Sequence, residues 1–433
     1  MREMKDSGIE WVGKVPKIWS LKPIRALFDE VTEKNFLGTC SNALKFTYGS
    51  IVRKPNFDAD ADDYVASTIL NYTVVEPGTI MLNGLNLNFD FVSQRIGLVK
   101  EKGVITSAYM AFKPNEKHLI DSEFATYLFK AYDGCKAFHN MGGGVRKILN
   151  FNEFKKYYIP LPDLNEQHHI VDYLDTKCSE IDATAEDIQK EIALLEEYKK
   201  SVITEAVTKG LNPDAEMKDS GIEWIGQIPK EWSVVKVKHL CKVTDGTHFS
   251  PQTTEVGKPY ITVSNVNNSK IDIQGALTIS EEDFETLVKQ GCQPKIGDVL
   301  LSKDGTVGRT AVVMDDNAFV CLSSLGILSP CNYLYSSFLK YMLDSILLQD
   351  QMIQAMAGSA LRRITISKIK DFLILLPAKT EQRVIADYLD SKCSEIDTLI
   401  ADKKRQLDIL ADYKKSLIYE YVTGKKDVPV NDF

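Results

Sequence analysis

No stretch of this 433-residue chain is apolar over the roughly twenty residues that a membrane-spanning helix needs. The opening MREMKDSG lacks the hydrophobic core of a signal peptide. Both absences point to a cytoplasmic protein without a membrane partner. The eight cysteines are scattered, with no CxxC pair and no histidine cluster nearby, which argues against a zinc site or a disulfide framework and leaves reduced thiols, several of them buried. Catalytic signatures are missing too. There is no N-P-P-[FYW] methyltransferase motif, no G-x-x-x-x-G-K-[ST] phosphate loop, no H-E-x-x-H and no G-x-S-x-G elbow. Glu153-Phe154-Lys155 has the form of the tail of a nuclease motif, but no upstream Asp partners it, and it reads as an exposed patch beside Tyr157-Tyr158. The expectation is a binder with no catalytic and no metal-ligating residues.

Positive charge is short as well: 52 Lys and Arg stand against 60 Asp and Glu, a net charge of −8 that does not suit a nucleic-acid binder on its face. Its distribution alters that reading. Residues 163–208 hold twelve acids against four bases and residues 378–424 nine against eight, so the rest of the chain is close to neutral and has room for a locally basic face. With 44% apolar and 26% charged residues the composition is that of a folded protein, and the length suits two or three domains with cores of their own.

What the sequence does contain is itself, twice. MKDSGIEWVGKVPKIW from Met4 returns as MKDSGIEWIGQIPKEW from Met217, an offset of 213. EQHHIVDYLDTKCSEID from Glu166 returns as EQRVIADYLDSKCSEID from Glu381, an offset of 215. The near-equal offsets define two tandem units of similar length, too long for a solenoid repeat.

The second echo opens a long helix in each copy. Leu174, Cys178, Ile181, Ala185, Ile188, Ile192, Leu195 and Val202 follow heptad spacing with Lys199 in the one gap; Leu389, Cys393, Ile396, Ile400, Leu407, Leu410 and Leu417 match them, interrupted by Lys403 and Lys414. Pro162 and Pro377 precede the two helices, and Gly210 and Gly424 suit their ends. A helix of about forty residues is roughly 60 Å long, more than one domain covers, so each stripe needs a partner; an antiparallel pairing of the two is topologically easy. Cys178 and Cys393 lie on the stripe as packing residues.

The segments between, 20–160 and 233–376, read as mixed strands, loops and short helices. Strands are expected around KPYITVSNV from Lys258 and IGDVLLSKDGTVGRTAVV from Ile296, with EPGTIMLNGL from Glu76 and RIGLV from Arg95 as looser counterparts; helices are expected at SEFATYLFKAY from Ser122 and YSSFLKYMLDSILL from Tyr335. Elsewhere the two middles have diverged almost completely. A duplicated frame with different contents suits a protein whose copies assemble alike and recognise two different things.

Taken together, Pro162-Asp163-Leu164-Asn165-Glu166-Gln167, Pro377-Ala378-Lys379-Thr380-Glu381-Gln382, the repeated Y-L-D-x-K-x-x-x-I-D and the GIEW openings resemble the specificity subunit of type I restriction–modification systems over essentially the whole chain. The resemblance implies an α+β fold: two mixed α/β target recognition domains separated by two long helices that form an antiparallel coiled coil, a pseudo-twofold tandem repeat. Expected boundaries are 1–160 and 211–376 for the recognition domains, 161–210 and 377–424 for the helices, and 425–433 for a tail. Each domain would read half of a split, asymmetric site on double-stranded DNA, and the coiled coil would set the gap. Two modification subunits, S-adenosylmethionine-dependent methyltransferases, would dock on the frame. Restriction subunits using ATP and Mg would join them, so that this chain itself carries no cofactor.

Reading DNA requires Lys or Arg at phosphates and polar side chains at base edges. The candidates are Arg53, Lys54, Asn83, Asn86, Arg146 and Lys147 in the first domain, and His248, Asn265, Lys303, Thr306, Arg309, Arg362 and Arg363 in the second. The rival readings are a coiled-coil assembly scaffold that never touches DNA, and an enzyme with an unfamiliar site.

Overall fold

The computed structural model describes residues 2–55, 68–87, 94–116, 119–144, 147–267, 269–316, 318–357 and 362–429. It divides into two compact units, Met1–Ile188 together with Arg405–Phe433, and Gln189–Lys404. Among the described residues no helix is long and apolar enough to cross a membrane.

In the first unit the opening echo forms an antiparallel ladder of Met4–Asp6 with Lys14–Pro16, and Ser20–Pro23 pairs with Tyr158–Leu161. Between them lies a four-stranded antiparallel sheet in the order Phe28–Glu30, Met110–Pro114, Ile80–Leu82, Ile96–Leu98. Helix α1 (Ser122–Gly134) starts where the Asp121 carboxylate accepts the N–H groups of Glu123 and Phe124, and it buries Phe124, Leu128, Phe129 and Tyr132 at helical spacing. The rings of Phe28, Phe112 and Phe129 meet at centroid distances of 5.3–5.8 Å. The short helix α2 (Phe151–Phe154), capped by Asn150, adds Phe154 to this cluster. Phe154 is fully buried, which corrects the expectation of an exposed patch: its ring completes an aromatic core. The long helix α3 (Leu164–Lys209) follows.

The second unit repeats this plan. Met217–Asp219 pairs with Gln227–Pro229 and Ser233–Lys236 with Leu373–Leu376. The central sheet runs Cys241–Asp245, Leu325–Pro330, Val299–Ser302, Thr310–Val312, strand for strand the order of the first. Its helices are α4 (Glu281–Lys289), α5 (Ser336–Asp344), α6 (Ile346–Met356), α7 (Ile366–Asp371) and the long α8 (Lys379–Val422). The difference in strand layout between the two units is therefore concentrated in excursions from a shared sheet. In the first unit the excursions build the hairpin Leu44–Thr47/Ser50–Arg53 and the pair Thr73–Val75/Gly103–Ile105. In the second they build a further sheet, Thr253–Thr254, Leu277–Ile279, Lys258–Ile261 and Val320–Cys321, the last two strands parallel.

The two echoes meet at the start of each long helix. Gln167 is fully buried; its Oε1 accepts the Asp121 N–H at 2.8 Å and its Nε2 donates to the carbonyls of Leu119 and Pro162 at 3.0 Å. Gln382 repeats this with Tyr335 N–H at 2.8 Å, Tyr333 carbonyl at 3.0 Å and Pro377 carbonyl at 2.9 Å. Asp121 and Tyr335 are the N-caps of α1 and α5, so each glutamine ties two helix starts and the preceding strand together. Beside it Glu166 accepts the indole N–H of Trp19 at 2.9 Å, and Glu381 that of Trp232 at 3.1 Å. Tyr127 donates to Asp175 at 2.6 Å and Tyr341 to Asp390 at 2.5 Å, pinning α1 to α3 and α5 to α8.

Within each unit segments of α3 and α8 run antiparallel. In the first, Tyr173 stacks on Tyr421 with centroids 4.6 Å apart and Lys414 bonds both oxygens of Asp182 at 2.6 and 2.7 Å. In the second, Lys403 pairs with Glu191 at 2.5 Å and Lys199 with both oxygens of Asp397 at 2.6 and 2.7 Å. The lysines that interrupt the heptads thus lie at the edge of the seam, each reaching a carboxylate of the opposite helix. Leu174, Cys178, Ile188, Ile192, Leu389, Cys393, Ile396, Ile400 and Leu417 are buried as expected, while Leu195, Val202, Leu407 and Leu410 are only half-buried. The buried face widens near the ends, where Ile203, Ala206 and Val207 join the core of the second unit and Ile418, Tyr421 and Val422 that of the first. Burial pushes the thiols of Cys178 and Cys393 up from their ordinary range, in keeping with packing. All eight cysteines are free. Gly210 and Gly424 end the helices at φ of +76° and +69°, and a Cβ on Gly424 would lie 2.9 Å from the Trp19 ring.

Gln382→Leu strands the Tyr335 N–H and the Pro377 carbonyl in the interior, so it is expected to lower stability by about 2–3 kcal/mol. Urea denaturation checks this; an unchanged midpoint would mean that the glutamine is not holding the helix starts.

Candidate nucleic-acid interface

The second unit gathers its candidate residues around one hairpin, Val299–Ser302 and Thr310–Val312, and the loop it carries. The Ser302 hydroxyl donates to the Thr306 carbonyl at 2.6 Å and accepts the Arg309 N–H at 2.7 Å, closing the loop across its neck. Gly305 supplies the left-handed turn at φ +71°. Lys303 points inward and is 1% exposed, its ammonium 3.4 Å from the Asp245 carboxylate. The same Asp245 oxygen lies 3.1 Å from Nε2 of His248, an exposed ring. The DGTH turn approaches the sheet so closely that a Cβ on Gly246 would sit 2.0 Å from the Cys321 carbonyl oxygen. Next to Lys303, Asp304 forms a β-bridge with Arg363 and an ion pair of 3.6 Å with its guanidinium. Arg362 and Thr306 are exposed. His248, Lys303, Thr306, Arg362 and Arg363 are thus brought to one edge of the unit.

Arg309 leaves the hairpin on another side. Its Nη1 donates to Asn267 Oδ1 at 2.6 Å, with the carbonyls of Val263 and Val266 at 3.4 Å. Asn265 is 6% exposed and works inside this loop: its Oδ1 accepts the Thr262 N–H and hydroxyl, both at 3.0 Å. Behind the hairpin the Thr310 hydroxyl donates to Asp344 at 2.5 Å and Lys340 lies 3.2 Å from the same carboxyl, whose pKa burial raises despite these partners.

In the first unit the candidates are spread further. Arg53 makes a bidentate pair with Glu101 at 2.6–3.0 Å on an exposed hairpin, beside the exposed Lys54. Asn83 and Asn86 lie on the loop after Ile80–Leu82; Asn83 Oδ1 accepts the Leu85 N–H at 3.2 Å, and Asn86 takes φ +50° where the second unit has Gly305. Lys147 donates to the His139 carbonyl at 3.2 Å. Arg146 lies outside the described residues. The caps Asn150 and Thr365 fix the register between copies, so Lys147 corresponds to Arg362 and the basic pairs are offset by one.

Sequence reading passed over Arg95 and Asp245. Arg95 pairs with Asn83 as Arg309 pairs with Ser302: the Asn83 N–H donates to the Arg95 carbonyl at 2.9 Å, and the Ser302 N–H to the Arg309 carbonyl at 2.8 Å. The signal was present, since RIGLV and RTAVV both open on arginine. Asp245 had none, because its role depends on a buried lysine 58 residues away. Among the described residues no three His, Cys, Asp or Glu side chains converge as metal ligands.

Two segments, 23–194 and 229–408, match the family model of the type I restriction modification DNA specificity domain. The chain belongs to this family and carries two such domains in tandem. The specificity subunit of the type I restriction enzyme MjaVIII from Methanocaldococcus jannaschii is 24% identical over 420 residues, 95% of this chain and 94% of that protein. The EcoBI specificity subunit from Escherichia coli is 22% identical over 288 residues, 64% of this chain and 60% of its own length. A chain solved in work on complex assembly and conformational transition of the type I R-M system has the same fold, with a TM-score of 0.70 at 16% identity over 95% of this chain and 99% of that one.

Asp245→Asn leaves the Lys303 ammonium buried without its carboxylate. The expected loss is somewhat under the roughly 3 kcal/mol of a fully buried pair, because Asp245 keeps part of its side chain in water. Thermal denaturation measures it, and adding Lys303→Met should recover most of the loss; no recovery would show that the pair is not the cause.

Proposed function

We propose that each specificity domain reads one half of a bipartite, asymmetric site on double-stranded DNA, and that the paired helices α3 and α8 set the unspecified gap between the halves. The observation that carries this reading is the contrast inside the chain. The glutamine clamp at the start of each long helix, the ladders and the strand order of the central sheet are duplicated, while the excursions between Phe28–Glu30 and Ile80–Leu82 and between Cys241–Asp245 and Val299–Ser302 differ in both sequence and fold. A duplicated frame makes the two halves dock alike; unlike excursions make them read differently.

Two such heads on one molecule turn two weak contacts into one strong one when their separation matches the DNA repeat. Arg53, Lys54, Lys147, Arg309, Arg362 and Arg363 are the candidate phosphate contacts, and Asn83, Asn86, His248 and Thr306 are the candidates for base edges. Arg146 remains a candidate on its sequence alone. Lys303 and Asn265 act from within, shaping the loops that carry the others. The duplicated frame is the surface for two methyltransferase subunits, with restriction subunits joining them. Chemistry then belongs to those partners, which bring S-adenosylmethionine, ATP and Mg, and this chain supplies specificity without catalysis, in the cytoplasm. A scaffold that never binds DNA would have no use for two diverged excursions on one frame, which favours the DNA reading.

Exchanging residues 246–298 for the corresponding excursion of a relative should change one half of the methylated sequence and leave the other intact, read by sequencing methylated adenines from cells that also express the methyltransferase subunit. A change in both halves would remove modular heads. Inserting one heptad into both α3 and α8 adds about 10 Å, which should lengthen the gap by about three base pairs; an unaltered gap would rule out the helices as the ruler.

A further inference from the structure

The geometry points to a division of labour between two arginines at the same hairpin position: Arg95 is a positioning residue that shapes the reading loop of the first domain without touching DNA, whereas Arg309 is itself a contact residue in the second. The inference rests on the proposal that both domains read DNA, and extends it to how each reading loop is held.

Arg95 is 2% exposed. Its Nη1 donates to the carbonyls of Asn83 and Leu85, each at 2.8 Å, and its Nη2 to that of Asn86 at 3.3 Å. Its own N–H is held by Asp133 at 2.8 Å, so the backbone from which the side chain springs is fixed as well. Burying a guanidinium is costly unless its donors find partners, and here Nη1 and Nη2 find them in carbonyls of the loop itself, which must curl around the charge. The other side of the loop is pinned too. The Leu149 N–H donates to the Gly84 carbonyl at 2.9 Å, and a Cβ on Gly84 would lie 2.3 Å from the Leu149 carbonyl oxygen.

In the second domain the Ser302 hydroxyl does this work across the loop neck. Arg309 is released from it and is half-buried against the 263–267 loop; among the described residues its side-chain bonds run from Nη1 alone. One copy locks its loop with a charge, and the other locks it with a hydroxyl and keeps the charge for a ligand. A single ammonium cannot reproduce the fork that spans three carbonyls, so Arg95→Lys is the informative change.

The test uses the whole chain with its methyltransferase subunit, scoring methylated sites by sequencing, DNA affinity against salt, and amide hydrogen exchange of the free chain. Arg95→Lys should speed exchange at Leu85 and Leu87 and let sites mismatched in one half be methylated, with discrimination in that half falling by roughly tenfold and the salt slope unchanged. Arg309→Gln should instead lower the salt slope by about one and affect the other half. Asp133→Ala, which removes the acceptor of the Arg95 N–H and leaves every candidate contact residue in place, should reproduce the first result, so the outcome does not depend on the Arg95 variant folding. Wild-type exchange at Leu85 and Leu87 in Arg95→Lys, or a reduced salt slope with intact discrimination, overturns the positioning role. Failure of the DNA reading looks different: the unsubstituted chain would direct no bipartite methylation, while exchange would still report whether Arg95 shapes the loop.

Discussion

Gln167 and Gln382 each satisfy three backbone groups that the interior would otherwise strand, and the rest of the architecture depends on them. A strand leaves the domain through a proline, a long helix begins within a few residues, and a helix from earlier in the chain starts alongside it. Such a junction accumulates unpaired N–H and C=O groups, because helix starts leave their first donors open and proline offers none. A buried primary amide has both donors and an acceptor in one plane and can close the gap. Glu166 and Glu381 add the indole of the tryptophan from the opening echo, which is why two motifs some 150 residues apart are duplicated together.

From this junction the long helices inherit their direction, and their seam inherits its charge pattern. An all-apolar stripe would permit several registers. The lysines at the seam edge remove that freedom, since Lys199 and Lys414 each reach an aspartate of the opposite helix, and Asp397 and Asp182 are counterparts at the same offset. Exposed pairs of this kind contribute little stability individually, so their value is in selecting one alignment. The same residue pair serves twice, with the helices exchanging roles, as a tandem repeat paired with itself requires.

The recognition segments show how little must be kept for two domains to share a frame. Both central sheets have the same strand order although their sequences have almost nothing in common, because a sheet constrains only alternation and burial at each position. The hairpin loops then diverge physically as well: a glycine in one stands where the other has asparagine, and a serine hydroxyl in one replaces an arginine fork in the other. Specificity can change through such exchanges without disturbing the clamp or the seam.

The sequence by itself determined the duplication, the two long helices with their glycine ends, the heptad stripe and the family. All of these rest on local periodicity or on residues repeated at fixed offset, which a one-dimensional reading preserves. Tertiary structure alone decided that Lys303 turns inward to Asp245, that Asn265 spends its amide on its own loop, that Phe154 completes an aromatic core, and that Arg95 is the partner of Arg309. A polar side chain on a loop has the same local signature whether it faces solvent or folds back under the chain. The difference lies in which distant backbone groups are left without partners, and that is known only once the chain has closed on itself.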